Sequence, residues 1–115
     1  MAVVVYGIPN CDTVKKARAW LDARGIAYTF HDYKKQGADP AKLADWQRQA
    51  GWEKVINCAG PTFRKLPEAD REGLDAARAV AVMVANTSCI KRPIVEHPGG
   101  LLVGFKEPEW AAAFG

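Results

Sequence analysis

The stretch Val3-Val4-Val5-Tyr6-Gly7-Ile8-Pro9-Asn10-Cys11, followed by Asp12-Thr13-Val14-Lys15-Lys16-Ala17-Arg18-Ala19-Trp20-Leu21, constrains this chain more than any other. Its β-branched opening predicts a short buried strand, the Gly/Pro/Asn run a tight turn, and the remainder an amphipathic helix. Cys11 is therefore predicted at a helix N-terminus. There, unpaired backbone N–H groups and the positive end of the helix dipole favour a thiolate, and cysteine pKa values fall from ~8.5 to between ~3.5 and ~7.5 in such places. Thiol chemistry is one reading of the position. By residue type alone, a cysteine after a strand is equally a small buried hydrophobe.

A chain of 115 residues is long enough to bury one continuous core, and one domain over residues 1–115 is expected. With 49% hydrophobic and 25% charged residues, the composition is that of an ordinary globular protein, and no apolar run approaches a membrane span. Met1-Ala2 leads straight into strand-like sequence with no secretory signal, so a cytoplasmic location is expected. Three cysteines, Cys11, Cys58 and Cys89, are too few for a disulfide framework, and reduced thiols are the expected state. His31 and His97 with these cysteines show no zinc-ligand spacing, so no metal is expected. The net charge of +3 is dispersed over pairs such as Lys15-Lys16, Lys34-Lys35 and Lys91-Arg92. That pattern describes a solvated surface and not a nucleic-acid footprint.

Beyond the first helix, Gly25 falls where a left-handed cap belongs, and Ile26 to Tyr33 carries the aromatic and β-branched residues of a second strand. A β-α-β crossover of this length predicts parallel pairing. Asp39-Pro40 supplies an N-cap and a first helical proline for a helix ending at Gly51. Trp52 to Arg71, broken by Gly60-Pro61 and Pro67, is expected to be loop with short turns. Leu74 to Ala85 is alanine-rich and helical in period. Ile90–Glu96 and Leu101–Phe105, joined by His97-Pro98-Gly99-Gly100, predict an antiparallel hairpin, and Pro108 opens a last helix ending near Phe114. The element order β-α-β, helical block, β-β-α predicts an α/β thioredoxin-like fold with a mixed sheet and a helical insertion at about 39–86.

Three motifs then occur in a familiar order: Asn10-Cys11-Asp12-Thr13-Val14-Lys15-Lys16-Ala17, Thr62-Phe63-Arg64-Lys65-Leu66 and Ile90-Lys91-Arg92-Pro93-Ile94. Together they resemble the arsenate reductase (ArsC) and Spx family, most of all its small YffB-like branch, a group regarded as glutathione-dependent thiol reductases. The resemblance implies a reductase with Cys11 as nucleophile and with Arg64 and Arg92 facing it. Paired guanidinium groups stabilise a thiolate and hold an oxyanion or a glutathione carboxylate by forked hydrogen bonds. It also implies that Pro93 is cis and lies across from the cysteine, leaving neighbouring backbone free for an extended peptide such as glutathione, the expected co-substrate. Lys15, in the first helical turn, is a further candidate for the anion site. No tightly bound cofactor is implied.

Arsenate reductases of this family carry a histidine four residues before the cysteine, a serine three after it and a third arginine on the last strand. Here Gly7, Val14 and Phe105 hold those places. Spx regulators typically carry C-x-x-C, whose second position is again Val14, so a one-cysteine site needs an external thiol to complete a cycle. An Spx-like protein binding RNA polymerase and an arsenate reductase are the alternatives. Cys58, Cys89, Trp20, Trp46 and Trp52 are expected to pack as core, His31 to be structural, and Thr13 to serve as a helix-capping hydroxyl.

Overall fold

A computed structural model describes residues 3–58 and 60–114. In chain order its elements are β1 (Val4–Gly7), α1 (Asp12–Ala23), β2 (Thr29–Asp32), α2 (Tyr33–Gln36), α3 (Pro40–Ala50), α4 (Trp52–Val55), α5 (Pro61–Arg64), α6 (Glu68–Arg71), α7 (Ala76–Ala85), a 3-10 turn (Thr87–Cys89), β3 (Ile94–His97), β4 (Gly100–Val103) and α8 (Glu107–Phe114). They divide into two compact units, Met1–Gln36 with Arg92–Gly115, and Gly37–Lys91. The helical insertion expected at about 39–86 falls within the second.

The first unit holds a four-stranded sheet in the order β2-β1-β3-β4. β1 and β2 run parallel, whereas β1–β3 and β3–β4 are antiparallel, the mixed α/β sheet predicted from the element order. Side chains alternate between faces along a strand, so residues in register form rows. Phe30, Val5, Val95 and Leu102 make one such row across the four strands. It packs with Ala17, Trp20 and Leu21 of α1 and Trp110 of α8 into a single core. Trp110 is fully buried, meets Trp20 edge-on at 5.7 Å and Phe105 at 4.8 Å, and donates its indole N–H to Gly104 O at 3.1 Å. The adjacent row, His31, Tyr6, Ile94 and Val103, lies on the other face.

Local sequence sets the ends of these elements. After α1, Gly25 takes φ +67° and donates to Asp22 O, while Ile26 N–H reaches back to Leu21 O, the paired bonds of a Schellman cap. That commits Ile26 to the helix end, so β2 begins at Thr29 and not at Ile26. β2 also stops one residue short of Tyr33, because the Asp32 carboxylate accepts from Lys34 N–H at 2.8 Å and Gln36 returns an acceptor to Asp32 N–H, turning the chain into α2. β3 likewise starts at Ile94, four residues later than expected. Pro93 has no N–H for a ladder, and Ile90 instead bridges Ile56 within the second unit. β4 ends at Val103, before Gly104 at φ +79°, and so does not reach Phe105.

In the second unit, Asp39 caps α3 by accepting from Ala41 N–H, with Pro40 in the first turn, as the Asp-Pro pair predicted. Asp75 caps α7 through Arg78 N–H, which places that helix's start two residues after Leu74. The stretch expected as loop folds into three single helical turns, α4, α5 and α6, too short to show a period. Leu43, Trp46, Val55, Ile56, Met83, Cys89 and Ile90 are buried here. Cys58 is not: it is exposed, contrary to the core role expected for it. Trp52 is only half-buried, at the rim of a cleft of about 380 Å³ whose wall includes Gln47, the side-chain nitrogen of which is buried without a partner.

Candidate thiol site

Cys11 is the N-cap of α1, the position predicted for it. A turn precedes it, in which Cys11 N–H donates to Ile8 O at 3.2 Å, and its own carbonyl accepts the first helical bond from Lys15 N–H at 2.9 Å. The backbone there is extended, φ −83° and ψ 125°, as at N-caps that offer a side-chain acceptor to the first turn. The thiol makes no such bond, so the cap position carries a half-buried sulfur beside a helix start whose first N–H groups have no acceptor within the helix. Thr13, expected to cap, is instead the second residue inside the helix and exposed. Lys15 is also exposed.

Strand register brings a second group to the same end of the sheet. Tyr6 pairs with Ile94 in antiparallel β1–β3, so the residues leaving β1 toward Cys11 and those entering β3 lie at one edge. The entering residues are Arg92 and Pro93, joined by a cis peptide bond as the family resemblance implied. Arg92 is half-buried and Pro93 buried, and Pro93 O accepts from Gly104 N–H at 2.8 Å. Arg64 belongs to the second unit, where it is the exposed last residue of α5, next to buried Phe63.

β2 is parallel to β1, with Gly7 opposite Asp32, so Tyr33 starts at this edge as well. The sequence marked Tyr33 only as strand. Tyr33 is buried, its ring 6.3 Å from that of Tyr6 and 5.7 Å from that of His31, and its hydroxyl is buried without a hydrogen-bond partner. Burial, then Tyr6 and Glu96, push the Tyr33 phenol far above the usual range, while the Arg92 charge opposes them. His31 sits within this aromatic group, at 5.0 Å from Tyr6, consistent with a packing role. Cys58, although exposed, has its thiol pushed up by partial burial, with Lys91 acting the other way. Among the described residues, no three His, Cys, Asp or Glu side chains converge as a metal site, and no helix is long and apolar enough to cross a membrane.

A cysteine capping the first helix, at the end of the sheet where a cis Arg92-Pro93 bond enters a central strand, brings together two of the three sequence motifs. The ArsC family matches residues 6–113 of the chain. The chain belongs to the ArsC family. Among solved structures, a YffB protein is 52% identical with a TM-score of 0.97, covering 99% of this chain and 100% of that one. An arsenate reductase (ArsC) related protein from Brucella melitensis is 53% identical, TM-score 0.76, covering 99% and 95%. The global transcriptional regulator Spx of Listeria innocua is 28% identical over 93% of this chain and 82% of its own length. Phe105 packs against Trp110 in the core.

Proposed function

We propose that this ArsC-family protein is a thiol reductase in which the Cys11 thiolate is the nucleophile and glutathione the reductant. The observation that carries this reading is the free sulfur at the cap of α1, on the same sheet edge as Arg92-Pro93. The thiolate attacks one sulfur of a disulfide substrate, forming a mixed disulfide with Cys11 and expelling the other half as a thiolate. A glutathione thiolate then attacks the mixed disulfide, releasing Cys11 as thiolate and leaving the substrate half bonded to glutathione. A second glutathione completes the exchange, so two glutathione thiols are oxidised to one disulfide and one substrate disulfide is reduced. Val14 holds the position of a second redox cysteine and is fully buried, which is why the resolving thiol in this scheme comes from outside the chain.

Arg92 is assigned to bind a carboxylate of glutathione through a forked pair of charge-assisted hydrogen bonds. Lys15 adds exposed positive charge to the first turn. Pro93 fixes the backbone beside the cysteine. Site-resolved mass spectrometry after exposure to oxidised glutathione tests the scheme: one glutathione is expected on Cys11, and that adduct is lost in Cys11→Ser. An unmodified Cys11 at millimolar oxidised glutathione removes the mechanism.

The likeness to Spx supports a second reading, a protein that binds RNA polymerase without turnover. A pull-down that retains polymerase subunits, together with absent glutathione exchange, would favour it over the reductase. The likeness to an arsenate reductase related protein brings arsenate into view, and consumption of arsenate by purified protein with glutathione decides that point.

A further inference from the structure

Gly7 ends β1 four residues before Cys11, and its φ is not in the left-handed region, so no turn geometry demands glycine there. What glycine supplies is room. A Cβ on Gly7 would lie 2.8 Å from Val14 Cγ2, closer than carbon atoms pack, and 3.4 Å from Val14 Cγ1. Val14 is the third residue of α1 and fully buried, and as a β-branched residue in a helix it has essentially one rotamer. Its methyl groups therefore do not swing aside readily, and a side chain at position 7 forces the end of β1 and the first turn of the helix apart. Only Ile8, Pro9 and Asn10 separate Gly7 from Cys11, and the Cys11 N–H bond to Ile8 O ties the cysteine to that short turn.

We propose that Val14, seated in the notch that Gly7 leaves at the end of β1, is a positioning residue for Cys11: the contact sets the first turn of α1 and hence the direction of the free N–H groups beside the sulfur. The proposal rests on the reading of Cys11 as nucleophile. It assigns to Gly7 and Val14 one joint task, so the two positions are coupled: enlarging one without reducing the other misplaces the cysteine, while exchanging volume between them keeps it in place. Displacements of about 1 Å at a reacting group cost up to roughly a hundredfold in rate.

The test compares wild type, Gly7→Ala, Val14→Ala and the double variant. Two quantities are measured on each: the rate at which oxidised glutathione modifies Cys11, followed by site-resolved mass spectrometry across a pH series, and the thermal midpoint. Gly7→Ala is expected to slow modification by roughly tenfold or more and to alter its pH profile. The double variant, which relieves the clash, is expected to return to within about threefold of wild type although its thermal midpoint stays low, because the lost methyl burial is not restored. Recovery of rate without recovery of stability is what a merely structural role does not produce. Rates that track the thermal midpoint across all four proteins, or a Gly7→Ala rate equal to wild type, overturn the proposal. No modification of wild-type Cys11 overturns the parent reading instead, and the two failures are told apart by the wild-type sample alone.

Discussion

The Tyr6 hydroxyl donates a 2.6 Å hydrogen bond to Glu96 Oε1, diagonally across β1 and β3, since Tyr6 pairs with Ile94 and Glu96 with Val4. The bond fastens the two central strands at the edge that leads to Cys11 on one side and from Arg92 on the other. Tyr6→Phe keeps the ring contacts with His31 and Tyr33 and removes this donor. A partly buried bond of this kind contributes about 1 kcal/mol, so the variant is expected to lower the urea midpoint by that equivalent with an unchanged slope. An unaltered midpoint would show that the bond adds nothing to the native state.

Tyr33 presents the opposite case, a buried hydroxyl with no partner. Such a group costs desolvation that nothing offsets, so Tyr33→Phe is expected to stabilise by about 1 kcal/mol at pH 8. The pH dependence follows from the raised phenol. In the unfolded chain a tyrosine ionises near pH 10, whereas the folded chain holds this proton well beyond that. The stability linked to this proton is thus fully present below about pH 10 and lost as pH climbs toward the folded value, because the unfolded state sheds a proton the native state retains. Urea melts at pH 8 and above pH 10 should show a smaller alkaline loss in Tyr33→Phe than in wild type; equal losses contradict the assignment.

Cys58 is exposed, yet its thiol is pushed up by partial burial and eased back by Lys91. Less thiolate at neutral pH means slower alkylation than a free cysteine of pKa ~8.5 shows. Lys91→Ala removes the positive charge that favours the thiolate and is expected to move the alkylation profile of Cys58 further up in pH. A shift downward, read by site-resolved mass spectrometry, would refute that account.

Much of this was legible in sequence because the signals were local. Gly25 and Ile26 close α1 with a cap readable from one glycine, Asp39-Pro40 opens α3, and the position of Cys11 follows from strand, turn and helix in succession. Errors fell where a distant partner decided the outcome. Ile90 reads as strand by composition but takes its partner from Ile56, and β3 waits for Ile94 because Pro93 cannot donate. Cys58 and Cys89 are the same residue type, and only the folded second unit distinguishes the exposed one from the buried one. The contact between Gly7 and Val14 was equally hidden, since a glycine required for space leaves the same mark in a sequence as one required for a turn.

Arg92 is where the proposed chemistry and the fold meet most directly. It precedes the cis bond to Pro93, is half-buried, and places its charge near enough to Tyr33 to act on that hydroxyl. If it binds a glutathione carboxylate as a fork, Arg92→Ala forfeits a charge-assisted pair worth about 1.5–3 kcal/mol, or roughly tenfold to a hundredfold in KM for glutathione. Arg92→Lys keeps the charge and loses the planar fork, so it should recover only part of the deficit. Lys15→Ala, at an exposed position, is expected to raise KM by much less. Steady-state rates at varied glutathione separate the outcomes. Should Arg92→Ala leave KM untouched while kcat falls, the arginine serves the thiol step and not the carboxylate; should neither change, it has no part in the cycle.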